Sequence, residues 1–275
     1  MTLGTFNDPE QRAGWIIAIV TAPIGIAAAV FRFLATRRAK RKLSWDDWLA
    51  LLALVSFLPY IGYALWVFTI IDGLPVALAA MKDPQLAIQV LKVGNIMNIL
   101  YAVQQCFVKY SLLALYYRLF WVNANFNIGV WVLAGFQTAW GLTVLLIHLL
   151  ACKPLEKLWN PTLQGHCINI NIAFSIYEPI NSFLDFLAAA LAMWMLPALH
   201  LKTSTRWHLA GLFVIGAFCL HTSFSSGVIG IIKVVEAQNS AQHNFLLIIW
   251  NMVQMVTSLR VFVGISKLPA QSAVK

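Results

Sequence analysis

Long apolar stretches alternate with short polar ones along the whole chain. A helix needs about 20 mostly apolar residues to cross a bilayer. Seven stretches reach that length, and the segments between them are too short for a soluble domain. We therefore predict an all-α polytopic membrane protein, a single domain over residues 1–275 built as a seven-transmembrane-helix bundle. The predicted spans are residues 14–35, 48–71, 90–119, 127–150, 170–196, 207–235 and 244–265.

Composition agrees with a protein dissolved in lipid. Hydrophobic residues make up 60% of the chain and charged residues 11%, whereas an average soluble domain is about 25% charged. This excludes a cytosolic enzyme, a nucleic-acid-binding protein and a disordered chain. The net charge of +9 is explained instead by basic residues that flank membrane spans.

The distribution of Lys and Arg predicts the orientation. Basic residues concentrate in cytoplasmic loops. Twelve Lys and Arg lie on one side of the predicted bundle and six on the other, and the densest run is residues 37–42. We expect this run to touch anionic lipid. The N-terminus is then outside or lumenal and the C-terminus cytosolic, in the endoplasmic reticulum or plasma membrane, with outer loops at about 72–89 and 151–169.

Four cysteines are present, in two settings. Cys152 and Cys167 bracket the second outer loop, on the oxidising side, and a disulfide there would contribute about 3 kcal/mol. Two unpaired interfacial thiols are the alternative. Cys106 and Cys219 fall inside spans and are expected to be packing thiols. No CxxC or HExxH pattern occurs, so we predict neither a metal site nor another cofactor.

Polar residues inside the spans recur at helical spacing. Such residues must face a protein interior or a water-filled pocket. They either hold helices together or line a binding site. The candidate binding residues are Asn95, Asn98, Gln105 and Lys109 in the third span, Asn181 in the fifth, and Asn251 and Gln254 in the seventh.

Three ionisable residues in the spans are the strongest chemical signal. Lys109 and Asp185 both lie near the midplane, where each would cost about 2.5–3.5 kcal/mol alone, so we expect them to pair. The pair either sets helix register or belongs to a site that binds or protonates a ligand. Since Lys109 would keep Asp185 ionised, Glu178 is the better acid, and Glu178 and Asp185 are the catalytic candidates. His148, near the outer end of the fourth span, is expected to be interfacial.

Several short motifs follow one another along the chain. They are Arg41–Leu49 before and into span 2, Lys109–Leu113 and Tyr117–Phe120 in span 3, Cys152-Lys153-Pro154 with Trp159 and Gly165-His166-Cys167 in the outer loop, and Asn181, Asp185 and Leu196-Pro197 in span 5. Taken in order, they resemble the fungal rhodopsin-like family of integral membrane proteins. The family includes receptor-like proteins with an extracellular CFEM domain and membrane proteins of mycotoxin clusters such as that for satratoxin. The seventh span differs from the usual family pattern, because Gln254 stands where a Glu is common.

The resemblance and the polar interior together lead to two functional hypotheses. The first is a membrane protein of a secondary-metabolite, mycotoxin-type pathway, which handles or converts a lipophilic small molecule in an intramembrane polar pocket. The second is a receptor-like sensor of an extracellular ligand. A retinal protein is rejected, because its Schiff base needs a lysine in the seventh span and residues 244–265 contain none.

The orientation is directly testable. We expect a reporter fused after Lys275 to be cytosolic and one fused before Met1 to be outside or lumenal. Protease protection and glycosylation of a reporter would measure this. The reverse result would contradict the assignment of the basic loops to the cytosol.

Overall fold

The computed structural model describes residues 9–38, 44–71, 81, 83–119, 123–160, 163–195, 248–256 and 258. The predicted sixth span, 207–235, lies outside these residues. The seventh, 244–265, is described only at 248–256 and 258, where it is helical. The predictions of seven helices and of the orientation therefore remain predictions.

Long helices account for most of the described chain, and they match the first five predicted spans. They are α1 (Pro9–Arg38), α2 (Trp45–Ile71), α3 (Pro84–Leu119), α4 (Ala124–Leu149) and α5 (Ile170–Met195). In the part of the chain described, four helical segments have the length and composition of membrane spans: Gln11–Arg38, Trp45–Ile71, Pro84–Arg118 and Ala124–Leu149. The protein is thus a mostly helical membrane protein.

The first four helices begin earlier than the apolar pattern predicts, and for α2, α3 and α4 the cause is capping. Asp83 accepts backbone N–H groups of the first turn of α3, and Asn123 does so for α4. Before α2, the Asp47 carboxylate accepts the Ser44 N–H at 3.2 Å, and the Asp47 N–H donates to the Ser44 carbonyl at 3.0 Å. Such caps satisfy the orphan N–H groups of a helix start. A search for apolar residues misses these first turns because they are polar.

Helix α3 lies at the centre of the described bundle. One hydrophobic cluster joins α1, α2 and α3 with the helical segment 248–256, and a second joins α3, α4 and α5. Met252 and Met255 are fully buried in the first cluster. Gln104 of α3 also donates a hydrogen bond to the Met255 carbonyl at 3.2 Å. The segment 248–256 is thereby held against α2 and α3.

A buried charge cluster ties the ends of α1, α2 and α3 together. Arg32 is 1% exposed and donates to Asp46 at 2.8 Å and to Asp47 at 3.0 Å. Arg118 of α3 lies 3.5 Å from Asp46, and Ser111 donates to the Asp46 carbonyl at 2.6 Å. The distribution of Lys and Arg predicts only the side of the membrane for Arg32 and Arg118, and their pairing with aspartates of α2 is visible only in the structure.

The loop between α4 and α5 forms a small hairpin closed by a disulfide. Cys152 and Cys167 are bonded, which confirms the predicted pair. Strands β1 (Cys152–Lys153) and β2 (His166–Cys167) are antiparallel, with a 3₁₀ turn at Leu155–Leu158 between them. A side chain at Gly165 would collide with the Lys153 carbonyl. The hairpin contacts α3 through its Trp159, whose ring centre lies 5.6 Å from the Lys92 amine of α3.

The charge cluster predicts a large stability effect at Arg32. Arg32→Met would leave Asp46 and Asp47 buried without their main partner, a loss of about 3–5 kcal/mol when one partner of a buried pair is removed. The matched control is Arg37→Met on the same helix, where the side chain is exposed and the expected change is within about 0.5 kcal/mol. Unfolding in mixed micelles with increasing dodecyl sulfate measures the free energy of unfolding of each variant. Equal losses in the two variants would show that the charge cluster does not stabilise the fold.

Candidate functional site

Polar side chains of α3, α4 and α5 meet in layers where these three helices pack together. Tyr101 of α3 contacts Glu178 of α5, and further along both helices Lys109 contacts Asp185. The two contacts are ~12 Å apart along α3 and ~10.5 Å apart along α5 at 1.5 Å per residue. The two helices therefore run parallel and in register, which places all three ionisable candidates along one interface.

The layer around Lys109 is an ion pair supported by an amide. The Lys109 amine lies 3.1 Å from the Asp185 carboxylate, which confirms the expected pairing. It also donates to the Asn181 carbonyl at 3.0 Å and to the Asn181 side-chain oxygen at 2.5 Å. The Trp140 ring centre is 5.6 Å away, within cation–π range. An ammonium group has three N–H donors, so these three oxygens satisfy it.

The layer around Glu178 differs because its carboxyl group contacts no cation among the described residues. Glu178 is 1% exposed. The Tyr101 hydroxyl donates to Oε1 at 2.7 Å, whereas Oε2 accepts no hydrogen bond from the described residues. Gln254 of the segment 248–256 lies close enough to interact with the same carboxyl group. Sequence reasoning missed Tyr101, although it lies four residues before Gln105 on the polar stripe.

A third layer lies towards the hairpin and corrects the expectation for His148. This residue is 1% exposed, so the prediction of an interfacial histidine is wrong. Its Nδ1 lies 2.9 Å from the Asn95 side-chain oxygen, and its Nε2 lies 3.4 Å from the Tyr177 hydroxyl. Because neighbouring helices supply partners for both ring nitrogens, burial is tolerated. Trp140 adds a hydrogen bond to the Tyr177 carbonyl at 2.8 Å.

The remaining predicted binding residues are spread over the bundle. Gln105 is 1% exposed, and Asn98 is half-buried. Asn251 lies against Tyr60 of α2. The structure thus brings Lys109 into contact with two other candidates. These are Asn181 and Asp185.

The arrangement offers two carboxyl groups in different surroundings. One is paired with an ammonium group, and the other is held by a phenol in a buried layer. Two carboxyl groups in unlike environments can take different protonation states and divide acid and base roles between them. Among the described residues, no group of three or more His, Cys, Asp or Glu side chains is placed to hold a metal ion.

The chain is similar in sequence to several known fungal proteins. Satratoxin biosynthesis SC1 cluster protein 4 of Stachybotrys chartarum is 56% identical over 164 residues, which is 59% of this chain and 59% of the relative. Wortmanamides biosynthesis cluster protein C of Talaromyces wortmannii is 28% identical over 92% of this chain and 69% of the relative. A SAT4 family membrane protein of Emericella nidulans is 29% identical over 47% of this chain and 35% of the relative.

The match to the satratoxin-cluster relative thus spans about three fifths of that protein. No solved structure matches the chain. The family model described as the fungal rhodopsin domain matches residues 31–261, which include α2 to α5, the disulfide hairpin and the whole polar interface. The chain therefore belongs to the fungal rhodopsin domain family.

Proposed function

We propose that the protein is an integral membrane component of a fungal secondary-metabolite pathway, of the mycotoxin type. In this proposal it handles or converts a lipophilic intermediate between α3, α4 and α5. Two of the similar proteins are named for biosynthesis clusters, those of satratoxin and of the wortmanamides. A metabolite made of apolar rings or chains partitions into the bilayer, so a site among membrane helices meets it where it dissolves.

The proposal includes the full seven-helix architecture, with the N-terminus outside or lumenal and the C-terminus cytosolic. The 12-to-6 division of Lys and Arg supports this orientation. So does the Cys152–Cys167 disulfide, because disulfides persist on the oxidising side of a membrane. The helical segment 248–256 supports a seventh span. The compartment is the endoplasmic reticulum or the plasma membrane.

The single observation that carries the chemistry is the buried Glu178 beside the Lys109–Asp185 pair. In our proposal Lys109, held in place by Asn181, keeps Asp185 charged, so that Asp185 orients or deprotonates a ligand. Glu178, which contacts no cation among the described residues, acts as the acid. Carboxyl groups in apolar surroundings serve as general acids in this way. Gln105 and Gln254 add amide groups that could orient a ligand.

Deletion of the gene, followed by metabolite profiling, tests the proposed pathway role. We expect loss of a late product and accumulation of a lipophilic precursor, restored by the wild-type gene. Glu178→Gln should reach normal membrane levels but fail to restore the product. The matched control is Glu156→Gln in the exposed part of the hairpin, which should restore it fully. An unchanged metabolite profile, together with a lost response to an external compound, would instead support the receptor-like alternative.

The ion pair predicts a specific pattern in a double-mutant cycle. Lys109→Met and Asp185→Asn should each cost about 3 kcal/mol, the lower end of the range for buried pairs, because the Asp185 side chain keeps 28% exposure. The double variant should be more stable than either single variant. Unfolding in mixed micelles measures the three free energies.

Metabolite profiling of the same variants separates the two roles of the pair. A double variant that folds and restores the product identifies the pair as structural. One that folds without restoring it shows that Asp185 also acts on the ligand. Single variants with unchanged stability would contradict the contact itself.

A further inference from the structure

The starting point is the charge balance of the interface between α3, α4 and α5. Its described residues include two carboxyl groups, Glu178 and Asp185, and one ammonium group, Lys109. All three N–H donors of Lys109 are engaged by Asn181 and Asp185. Among the described residues, this interface is thus one positive charge short if both carboxyl groups are ionised.

Glu178 is the carboxyl group that has no cationic partner among the described residues. In the part of the chain that the structure describes, the groups that face it from the neighbouring elements are Tyr101 of α3 and Gln254 of the segment 248–256, and both are neutral. Next to it on α5, Tyr177 has its hydroxyl near His148 of α4. The ammonium of Lys109 is bound to the other carboxyl group. An isolated carboxylate in apolar surroundings takes up a proton rather than remain charged.

Tyr101 then determines which oxygen carries the proton. Its hydroxyl donates to Oε1 at 2.7 Å. In a neutral carboxylic acid the carbonyl oxygen is the better acceptor, and the other oxygen is a donor. The Tyr101 contact therefore makes Oε1 the carbonyl oxygen and leaves the O–H on Oε2. That oxygen is buried and makes no hydrogen bond of ordinary length and angle with the described residues, although the Gln254 side chain lies close to the carboxyl group.

We propose that Glu178 is a neutral carboxylic acid whose proton is held on Oε2 by Tyr101, and that it binds an uncharged lipophilic ligand through an acceptor oxygen of that ligand. Tyr101 is a positioning residue, because it acts through Glu178. This assignment of ligand class rests on the proposed function. Ketones, epoxides, ethers and lactones supply such an oxygen. An ammonium ligand would also balance the charge, but it would have to lose its hydration in the bilayer to reach a single buried carboxyl group.

Infrared difference spectroscopy of the whole protein in lipid tests the proton directly. A protonated carboxyl group gives a carbonyl stretching band above the amide bands, and this band shifts in deuterium oxide. We expect one such band in the wild type and its loss in Glu178→Gln. Tyr101→Phe should move the band to higher frequency, because the carbonyl loses a hydrogen bond.

Two control variants make the assignment specific. Tyr60→Phe removes another buried phenol, which faces Ile248 and Asn251, and should leave the band in place. Glu156→Gln removes an exposed carboxyl group of the hairpin and should also leave the band in place. A wild type without the band, or a band that survives Glu178→Gln, would overturn the proton on Glu178. An unshifted band in Tyr101→Phe would overturn the role of Tyr101.

Three probes with one carbon skeleton test the ligand class. Menthone supplies a carbonyl oxygen, menthane supplies only the hydrocarbon, and menthylammonium supplies a cation. At equal membrane concentration we expect menthone to shift the Glu178 band and menthane to leave it unchanged. Loss of the band with menthylammonium, or no shift with menthone, would overturn the acceptor-oxygen class. Failure of the metabolite experiment with an intact band response would count against the pathway role alone.

Discussion

Hydrocarbon offers no hydrogen bond to a polar group, and this constraint organises the described bundle. Every polar or charged side chain within the spans needs partners from other helices. The structure supplies them in compact groups: Arg32 with two aspartates, Lys109 with Asn181 and Asp185, and His148 with Asn95 and Tyr177. Each group joins at least two helices, so the same contacts that make burial possible also set helix register.

Helix α3 is the element on which these groups converge. It contributes Asn95, Tyr101, Lys109 and Ser111 to four separate contacts with α2, α4 or α5. It also belongs to both hydrophobic clusters. Two distinct kinds of interaction therefore hold α3 in place, apolar packing on both sides and polar contacts along its length. A site built on such a helix has a well-defined geometry, which catalysis and selective binding both require.

The two carboxyl groups of α5 show how one helix can present two chemistries. Asp185 lies next to an ammonium group, and Glu178 lies next to a phenol. They are separated by about two helical turns, on the same side of the helix. The difference between them comes from the neighbouring α3, which places a lysine opposite one and a tyrosine opposite the other. Membership in the fungal rhodopsin domain family fits this bundle, while the chemistry is argued from the side chains themselves.

Sequence alone was sufficient for the features that depend on local composition. Apolar length located the first five helices, and the polar stripes identified Lys109, Asn181 and Asp185 as facing the protein interior. The position of two cysteines in one outer loop predicted their disulfide. The helices and the polar stripes can be inferred because lipid penalises each unpaired polar residue individually, so its position in the chain already carries the information. The disulfide can be inferred because both cysteines lie in one short loop on the oxidising side.

Tertiary structure decided which partners the polar residues have. The burial of His148 depends on Asn95 and Tyr177, which are 53 and 29 residues away. Likewise, Arg32 is a structural cation because Asp46 and Asp47 lie at the start of the next helix. Tyr101 resembles any aromatic residue of a span until α5 places Glu178 against its hydroxyl. Helical periodicity gives the face on which a residue lies, but only the packing of one helix on another determines what that face meets.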